Sequence, residues 1–488
     1  MSQHSLPLTH SRPTLTASQH WEKLLSSHRL GSSYRSNASN QTATQSEPAR
    51  TPFHKDYDRL IFSQSFRQLN QKTQVHPLTN QLGIHTRLTH SLEVSCIGRS
   101  LGMQAGQKLH DTLSNGLPQG VSVADVGVIV QASCLAHDIG NPPFGHAGEY
   151  AIRDWFHADA RSDFLAHLTP SQQLDLLGFE GNAQGFRLLT RNEHHPDAGG
   201  MRLTCATLGA FMKYPWLASH RNTLGEHSNS HGLSIQKYGC FMAEAEMLER
   251  LAHYLHLPES EDFKGFARHP LAYLLESADD ICYALIDLED GIHLGMLDYA
   301  QVEPLLLRLI GERGAPPEVT SHAPIAQRLA SMRGRAMMRL VEAVSESFVQ
   351  NMDVMLAGEM QGSLFDHCEA DIMDGINEAK TVAKREIFGH ASKVRLELMA
   401  NRCLQTLLDT FMPLATLPLS DASPNFEQGH LLRLLDGYLT SVGRELDTDV
   451  YANALNILDF ITGMNDHEAY RLAQELNGNI GGVGGGMV

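Results

Sequence analysis

The chain contains no long hydrophobic run. Its 488 residues include no stretch that approaches roughly 18 consecutive apolar residues, which excludes a membrane-spanning helix on length grounds. The first residues, MSQHSLPLTH, lack the positively charged and then apolar order of a secretory signal. We therefore expect a cytoplasmic protein with no membrane partner.

Paired cysteines and a net positive charge are also missing. The seven cysteines are scattered without any CxxC pair, so they indicate reduced core residues and exclude a disulfide framework or a zinc cage. With 55 acidic against 38 basic residues, the formal net charge is −17. That charge disfavours a protein whose main task is to bind nucleic acid by its phosphates. Single-stranded DNA is therefore a partner that the charge does not support.

Alternating strand patterns are scarce, and helical periodicity takes their place. From about residue 54, apolar residues recur at three- and four-residue intervals. The sequence predicts an all-α, mostly helical protein. We divide it into a polar segment with a short helix (1–50), a helical core (51–300) and a C-terminal helical region with a Gly-rich tail (301–488), the last two able to form one globular unit. Residues 196–235 have the composition of a long loop, which is often a binding or lid element.

The adjacent pair His137–Asp138 is the first candidate for chemistry. The apolar helical segment VADVGVIVQASCLA leads directly into it, and Gly140, Pro142 and Pro143 end the helix just beyond. A buried carboxylate is costly unless it meets a cation or hydrogen-bond donors. Because a His-Asp dipeptide is common by chance, the pair alone is a weak indication of a metal site.

Two polar residues on other apolar helices are candidate partners of this pair. His90 lies in RLTHSLEV, and Asp279 lies in LLESADDICYALIDLED. Asp279, Tyr283 and Asp287 recur every four residues, so they share one face of their helix. Such a polar stripe usually faces solvent. Here apolar residues cover most of the remaining helix surface, which favours an internal polar cavity.

His146 and Glu149 follow the His-Asp pair across a turn. They are three residues apart in what should be the first turn of GHAGEYAIRDWF. That spacing places both side chains on one face, where the carboxylate can orient and charge the imidazole. The alternative is that Glu149 only compensates the helix dipole, a common role for an acid in a first turn. The spacing leaves both interpretations open.

Taken together, these motifs resemble the HD superfamily of metal-dependent phosphohydrolases, and more narrowly the bacterial deoxyguanosine triphosphate triphosphohydrolases and their dNTP-cleaving relatives. The matching stretches span residues 54–295 in order: FRQLNQKTQVHPL, HTRLTHSLEV, AHDIGNPPFGHAGE, FEGNAQGFRLLTR, KYPW and ESADDICYALIDLEDG. The pattern HDIGNPPFGHxGE is far more specific than the His-Asp pair by itself. The resemblance implies an HD-domain helical core with additional C-terminal helices.

The resemblance also implies a site for one divalent metal with four ligands: His90, His137, Asp138 and Asp279. Mixed nitrogen and oxygen ligands suit Mn²⁺, Mg²⁺ or Fe²⁺, and the sequence does not choose between them. Asp280 competes for the fourth position. We favour Asp279 because the family's Tyr and Asp, four and eight residues later, then fall on Tyr283 and Asp287.

The implied reaction is hydrolysis of a deoxynucleoside triphosphate at the α-phosphorus, giving a deoxynucleoside and intact triphosphate, with dGTP the first substrate to test. The family's catalytic His–Glu dyad falls on His146 and Glu149. Further positions resemble residues that contact the phosphates or the sugar: Gln74, Arg87, Lys213, Tyr214, Lys237, Tyr283 and Asp287. Without the resemblance, the basic ones would pass for surface residues and Tyr283 for helix core.

Two positions depart from the family pattern. Gln68 and His85 stand where these enzymes often have arginine. We expect both changes to remove positive charge near the entrance to the site, which leaves substrate preference open.

Partners and alternative functions also follow from the resemblance. It implies a homo-oligomer, with a hexamer as one candidate. One alternative is another HD phosphohydrolase that acts on nucleoside monophosphates or a guanosine polyphosphate alarmone; such enzymes share the metal ligands but lack the His146–Glu149 and KYPW elements. The other is a catalytically idle oligomer that binds nucleotides or single-stranded DNA.

Overall fold

The fold is helical throughout the described residues. A computed structural model describes residues 15–30, 50–74, 78, 85–192, 200–223, 237–260, 265–311, 314–315, 317, 323–389, 391–420 and 423–479. Within these ranges, extended pairing is limited to isolated bridges. The predicted all-α fold is confirmed. No helix in the described ranges is both long and apolar enough to cross a bilayer.

The helices are numbered here in chain order over the described residues. The α-helices are α1 (Ala17–Leu24), α2 (Pro52–Phe62), α3 (Gln64–Arg67), α4 (Arg87–Thr112), α5 (Val123–Ala136), α6 (His146–His157), α7 (Ser162–Leu165), α8 (Pro170–Leu177), α9 (Gly181–Arg187), α10 (Cys205–Phe211), α11 (Ala245–Leu255), α12 (Pro270–His293), α13 (Tyr299–Ile310), α14 (Ile325–Gln350), α15 (Met352–Ala357), α16 (Ala370–Val382), α17 (Ala391–Phe411), α18 (Phe426–Ser441), α19 (Val450–Gly463) and α20 (Asp466–Leu476). Short 3-10 helices lie at Asp159–Arg161, Ala218–Thr223, Met242–Glu244, Leu364–His367 and Met412–Leu419, and π-helical turns at Leu188–Asn192 and Ala383–Phe388.

Local sequence sets where the three helices of the candidate site begin. Thr86 and Ser122 cap α4 and α5, because each hydroxyl accepts a hydrogen bond from the backbone N–H three residues later. Pro270 opens α12 at a position where its missing N–H costs no hydrogen bond. Nearly all of α5 is buried, so its C-terminal end delivers His137 and Asp138 into the protein interior.

Glycines allow α4 and α5 to pack very closely. A Cβ added to Gly102 would lie 2.9 Å from the carbonyl oxygen of Val126, so only glycine fits this contact. Gly98 faces Cys134, whereas Gly106 faces Val126. The two helices therefore run antiparallel, and the start of α4 lies beside the end of α5.

Two hydrophobic clusters hold the helices together. The first is built mainly from α1, α2, α4, α5 and α10–α16, and the second joins α6, α8 and α9 to α17–α20. Because α14 packs on α4 and α17 packs on α6, helices beyond residue 300 cover the site-bearing segment at two places. The boundaries at residues 50 and 300 stay predictions.

The prediction of a loop over residues 196–235 is wrong in part. Cys205–Phe211 forms α10, which Thr204 caps and whose residues are all buried, packed against α5 and α12. Small and apolar residues in CATLGAF gain more from this burial than from a solvated loop. The predicted short N-terminal helix is α1. Other predicted features lie outside the described residues: 196–199, 224–236, most of 1–50 and the tail from residue 480.

Candidate metal centre and active site

Three predicted metal ligands meet where α4 and α5 adjoin. His90 lies in the first turns of α4, and His137 and Asp138 directly follow α5. One potential ligand atom of each lies within 4.8 Å of the other two. The imidazole centroids of His90 and His137 are 5.3 Å apart. The antiparallel packing of the two helices thus produces a cluster that could hold a metal ion.

Asp279 joins this cluster from α12. Its Oδ1 atom lies 3.2 Å from His90 Nε2 and 3.6 Å from His137 Nε2. The neighbouring Asp280 points elsewhere and pairs with Lys380 Nζ at 2.7 Å. The structure therefore brings Asp279, and not Asp280, to the two imidazoles.

A surrounding layer of hydrogen bonds orients these side chains. His137 Nδ1 lies 2.6 Å from the carbonyl oxygen of Cys134, which accepts an Nδ1–H and so leaves Nε2 free to bind a metal. Asp138 Oδ1 accepts from Arg87 at 2.8 Å and from the Asn141 amide at 2.7 Å. Lys213 Nζ donates to Asp279 Oδ2 at 2.9 Å.

The electrostatics favour charged carboxylates and a neutral histidine. Burial would raise the pKa of Asp138, but Arg87 and the two imidazoles bring it below its ordinary value. The pKa of Asp279 is likewise low, since Lys213 and the imidazoles outweigh burial. Burial lowers the pKa of His137. Deprotonated carboxylates and a neutral imidazole are the forms that bind metals.

The residues present fit a divalent cation. Asp138 Oδ2 is buried and has no hydrogen-bond partner in the described part of the chain. A buried carboxylate oxygen without a partner is costly, and a bound cation would satisfy it. The set of two nitrogen and two oxygen donors suits first-row divalent metals, and the structure does not distinguish Mn²⁺, Mg²⁺ and Fe²⁺.

The His146–Glu149 pair lies at the start of α6. His146 Nδ1 and Glu149 Oε2 are 2.7 Å apart, and the other carboxylate oxygen accepts from the backbone N–H of Gly181 at 2.8 Å. The His146 side chain is 69% exposed, whereas that of Glu149 is 7% exposed. Burial would raise the pKa of Glu149, but the bonds from His146 and Gly181 lower it. A charged, buried carboxylate therefore holds the imidazole by its Nδ1 atom, and no described residue forms a hydrogen bond with its Nε2 atom.

Two glycines place this dyad next to the metal cluster. Gly145, with φ +60°, precedes His146, and a Cβ there would collide with the Arg87 guanidinium that binds Asp138. Gly140 has φ +103° and lies against the backbone of α9, whose first residue, Gly181, contacts Glu149. Both backbone conformations favour glycine, because a side chain would be strained as well as in collision.

Known relatives match nearly the whole chain. Residues 87–175 match the HD domain family. A deoxyguanosinetriphosphate triphosphohydrolase-like protein of Pseudomonas aeruginosa is 43% identical over 464 residues, covering 94% of this chain and 98% of that protein. One of the same name from Synechocystis sp. is 38% identical over 471 residues, covering 94% and 99%. This chain belongs to the family of deoxyguanosinetriphosphate triphosphohydrolase-like proteins. A deoxyguanosinetriphosphate triphosphohydrolase of Cronobacter sakazakii is 32% identical over 412 residues, covering 75% of this chain and 78% of that one.

Arg87 and Lys213 contact the candidate metal ligands. The resemblance to the triphosphohydrolases had predicted that both cations bind phosphate. Arg87, which is 6% exposed, binds Asp138, and Lys213 binds Asp279. The carboxylate of Asp279 raises the pKa of Lys213 against the effect of burial. Lys213 therefore stays charged at the edge of the cluster.

Tyr214 and Lys237 are connected through Trp216. The Tyr214 ring stacks edge-on against Trp216, with centroids 5.5 Å apart, and the Trp216 indole donates to the carbonyl of Lys237 at 2.8 Å. Burial lowers the pKa of Lys237, but Tyr214, Glu180 and Glu149 outweigh it. The structure thus brings Lys237 near Tyr214 and near the dyad carboxylate.

The sugar-binding candidates Tyr283 and Asp287 share one face of α12 with Asp279. Burial raises the pKa of Asp287 to about 7, with Asp290 and Asp279 adding to it and His90 opposing it. Asp287 Oδ2 is buried without a partner in the described residues, and the same holds for Gln74 Oε1. Buried acceptors of this kind suit a ligand hydroxyl. Within the described ranges, the structure shows no contact of Gln74 with the other candidates.

The prediction that His85, in place of an arginine, removes positive charge is wrong. His85 Nδ1 lies 2.7 Å from Asp290 Oδ1, and its Nε2 lies 3.1 Å from Glu93 Oε1. These two hydrogen bonds raise the pKa of His85 to about 10, so its imidazole is a cation at neutral pH. Gln68 lies in a different place, lining a surface cleft of about 420 Å³ with Arg67 and Tyr438.

Two residues around the cluster were not predicted from the sequence. Asn141 binds Asp138, and its position inside the HDIGNPPFGHxGE pattern was an available signal. Lys72 is fully buried and donates to the carbonyl oxygens of Asn141 at 2.8 Å and Thr462 at 2.6 Å. Burial lowers the pKa of Lys72 to about 7. Nothing in its polar sequence context indicates this role.

Proposed function

We propose that this protein hydrolyses deoxynucleoside triphosphates at the α-phosphorus, releasing a deoxynucleoside and intact triphosphate, with dGTP the first substrate to test. The observation that carries the proposal is the convergence of the His90–His137–Asp138 cluster and the adjacent Asp279 with the His146–Glu149 dyad, joined by Arg87. The substrate class is that of its relatives, which are named deoxyguanosinetriphosphate triphosphohydrolase or deoxyguanosinetriphosphate triphosphohydrolase-like protein.

The metal would be held by His90, His137, Asp138 and Asp279. When bound, a divalent cation supplies charge neutralisation at the α-phosphate and a lower pKa for water. Asn141 and the Cys134 carbonyl keep two of these ligands oriented.

His146 would move the proton. Its Nδ1–H donates to Glu149, which leaves Nε2 to give a proton to the departing 5′-oxygen of the deoxynucleoside. Because Glu149 is buried and accepts a second hydrogen bond from Gly181, its carboxylate is fixed and fixes the imidazole in turn. Glu149 is thus the orienting residue and His146 the acid.

The remaining candidates would bind and orient the substrate. Lys213 and Arg87, with Lys237 nearer the dyad, would neutralise the polyphosphate. Such cations matter because cleavage at a phosphate depends mostly on positioning and charge stabilisation. Asp287, with its free buried oxygen, would accept from the sugar 3′-hydroxyl. Tyr283, one turn earlier, would pack beneath the sugar and exclude a 2′-hydroxyl. Gln74 would supply a second contact to the 3′-hydroxyl.

Product analysis tests this proposal. Purified protein is incubated with each dNTP and NTP and with Mn²⁺, and the nucleoside, triphosphate, pyrophosphate and phosphate are resolved by chromatography. The proposal requires deoxynucleoside and triphosphate from at least one dNTP. Pyrophosphate or single phosphate as the only inorganic product, or turnover of nucleoside monophosphates alone, would contradict it.

Adjacent acids on α12 provide a matched pair of variants. Asp279→Asn should abolish turnover, because the charge beside the two imidazoles is lost. Asp280→Asn changes the same chemical group one residue later, but that group pairs with Lys380. It should keep turnover within about threefold of the wild type, as expected for a residue without a transition-state contact. Equal losses in the two variants would count against the assigned metal centre.

The homo-oligomer, with a hexamer as one candidate, remains part of the proposal. Sedimentation of the 53.9 kDa chain measures its assembly directly.

A further inference from the structure

The turn that connects the metal cluster to the dyad has an unfavourable backbone. Phe144 has φ +64° and is followed by Gly145 with φ +60°, directly before His146 starts α6. A large aromatic residue rarely adopts this left-handed conformation, so surrounding contacts must hold it. The direction in which His146 leaves the turn depends on those contacts.

Asp466, from the far end of the chain, provides such a contact. Its Oδ1 atom accepts from the backbone N–H of Phe144 at 2.7 Å. Its Oδ2 atom accepts from the backbone N–H of Thr73 at 3.1 Å and from the Thr73 hydroxyl at 2.7 Å. The residue is fully buried. One carboxylate therefore joins the turn before His146 to the segment that contains Gln74.

Two hydrogen bonds of Lys72 connect the same region to the start of this stretch. Lys72 Nζ joins the carbonyl oxygen of Thr462, at the end of α19, to that of Asn141. Asn141 in turn binds Asp138. Residues 462–466 are thus linked to both ends of the stretch that runs from the metal ligand to the dyad, directly at Phe144 and through Lys72 at Asn141.

Helix capping does not explain the carboxylate of Asp466. The N-cap of α20 is Asn465, whose side chain accepts from the backbone N–H of Glu468 in a capping box. The Asp466 side chain has three other donors, and none belongs to α20. The carboxylate instead joins the turn at Phe144 to Thr73.

We propose that Asp466 is a positioning residue for the dyad: by holding the left-handed turn at Phe144, it aims His146 at the reacting phosphate. This inference rests on the proposed function for its kinetic consequence, but its structural consequence can be measured without turnover. It also assigns a role in the active site to the C-terminal helices.

Asp466→Asn is the informative variant. An amide has one acceptor oxygen, and turning it towards the two donors of Thr73 places its NH₂ group against the N–H of Phe144. Asp56→Asn is the matched control, since Asp56 is also fully buried and accepts from the N–H of Thr204 at 2.8 Å and its hydroxyl at 2.7 Å. Asp56 also pairs with Arg29, so the control should lose at least as much stability.

The expected result is a difference in kcat that stability does not explain. Asp466→Asn should lower kcat by about tenfold or more, with KM and the Mn²⁺ concentration for half-activity within about twofold, because ligand binding is spared and alignment is lost. Asp56→Asn should keep kcat within about twofold of the wild type. Equal kcat in the two variants would overturn the inference. If Asp466→Asn does not fold, Asp466→Glu, which keeps the charge but displaces the oxygens, should show the same loss.

Amide hydrogen exchange separates this inference from the proposed function. Peptides covering residues 140–149 should exchange faster in Asp466→Asn and be unchanged in Asp56→Asn, whether or not dNTPs are hydrolysed. Absence of triphosphate release by the wild type, with this exchange difference present, would reject the proposed function alone. Unchanged exchange in residues 140–149 would reject the positioning role.

Discussion

The dyad is the most direct place to test the chemistry, with Glu149→Gln as the perturbation. The carboxylate accepts two hydrogen bonds on separate oxygens, from His146 and from Gly181. A glutamine of the same shape has only one acceptor, and Gly181 can use it. The NH₂ group of the substituted side chain would then face His146 Nδ1, which suits the neutral ring but opposes the imidazolium. The variant should therefore lose the acid while keeping the fold.

The expected loss follows from the role of the proton transfer. General acid catalysis contributes roughly 10²- to 10⁴-fold, and each factor of ten corresponds to about 1.4 kcal/mol. Since His146 itself remains, we expect Glu149→Gln at the lower end, about 10²-fold in kcat or about 3 kcal/mol. His146→Ala should lose at least as much. Because the two residues act as one unit, the double variant should be no worse than His146→Ala.

The assay is triphosphate release from dGTP, or from whichever dNTP is cleaved fastest, under saturating substrate and Mn²⁺. Thermal unfolding of each variant checks that the fold is intact. A Glu149→Gln enzyme with kcat within about threefold of the wild type would refute the reasoning, and so would single losses that multiply in the double variant.

Three further predictions concern the metal, a buried acid and a glycine. Mn²⁺ at 100 times its Kd should increase the free energy of unfolding by about 3 kcal/mol and so raise the thermal midpoint. His137→Ala should lose that response, and an equal shift of the midpoint in both proteins would argue against the site. Burial raises the pKa of Asp175 to about 7 in the folded protein. Between about pH 4 and 7 the folded state therefore binds a proton that the unfolded state has released, and the free energy of unfolding falls as the pH rises. Urea unfolding should show that Asp175→Asn flattens this dependence, and an unaltered slope would disprove it. Gly140→Ala, strained at φ +103° and colliding with Gly185, should cost about 2–5 kcal/mol in the same assay, and a loss under 1 kcal/mol would contradict the packing.

Local signals in the sequence were sufficient for the helical class and for two polar groups of the candidate site. Residues four apart on a helix share a face wherever the helix lies, so the stripe of Asp279, Tyr283 and Asp287 could be predicted without a fold. The three-residue spacing of His146 and Glu149 likewise implied their contact. The HDIGNPPFGHxGE pattern then indicated the family.

Packing decided which of these groups meet and in what state. Asp279 and Asp280 are chemically identical neighbours, and only the rotation of α12 against α4 and α5 turns one to the imidazoles and the other to Lys380. His85 was predicted to be a lost charge, but two carboxylates from different turns and helices keep it protonated. The α10 helix was predicted as loop, because its stability comes from burial and not from its own composition.

The sequence alone indicated a helical chain with a His-Asp pair and a His-Glu pair, because those features depend on spacings of a few residues. The resemblance of its motifs then indicated an HD domain. The tertiary structure alone brought Asp279 beside the two imidazoles, set the charge of His85 and made the contact of Asp466 with Phe144, 322 positions earlier in the chain. Such contacts depend on how whole helices pack, and no local periodicity encodes the distance between two atoms so far apart along the backbone.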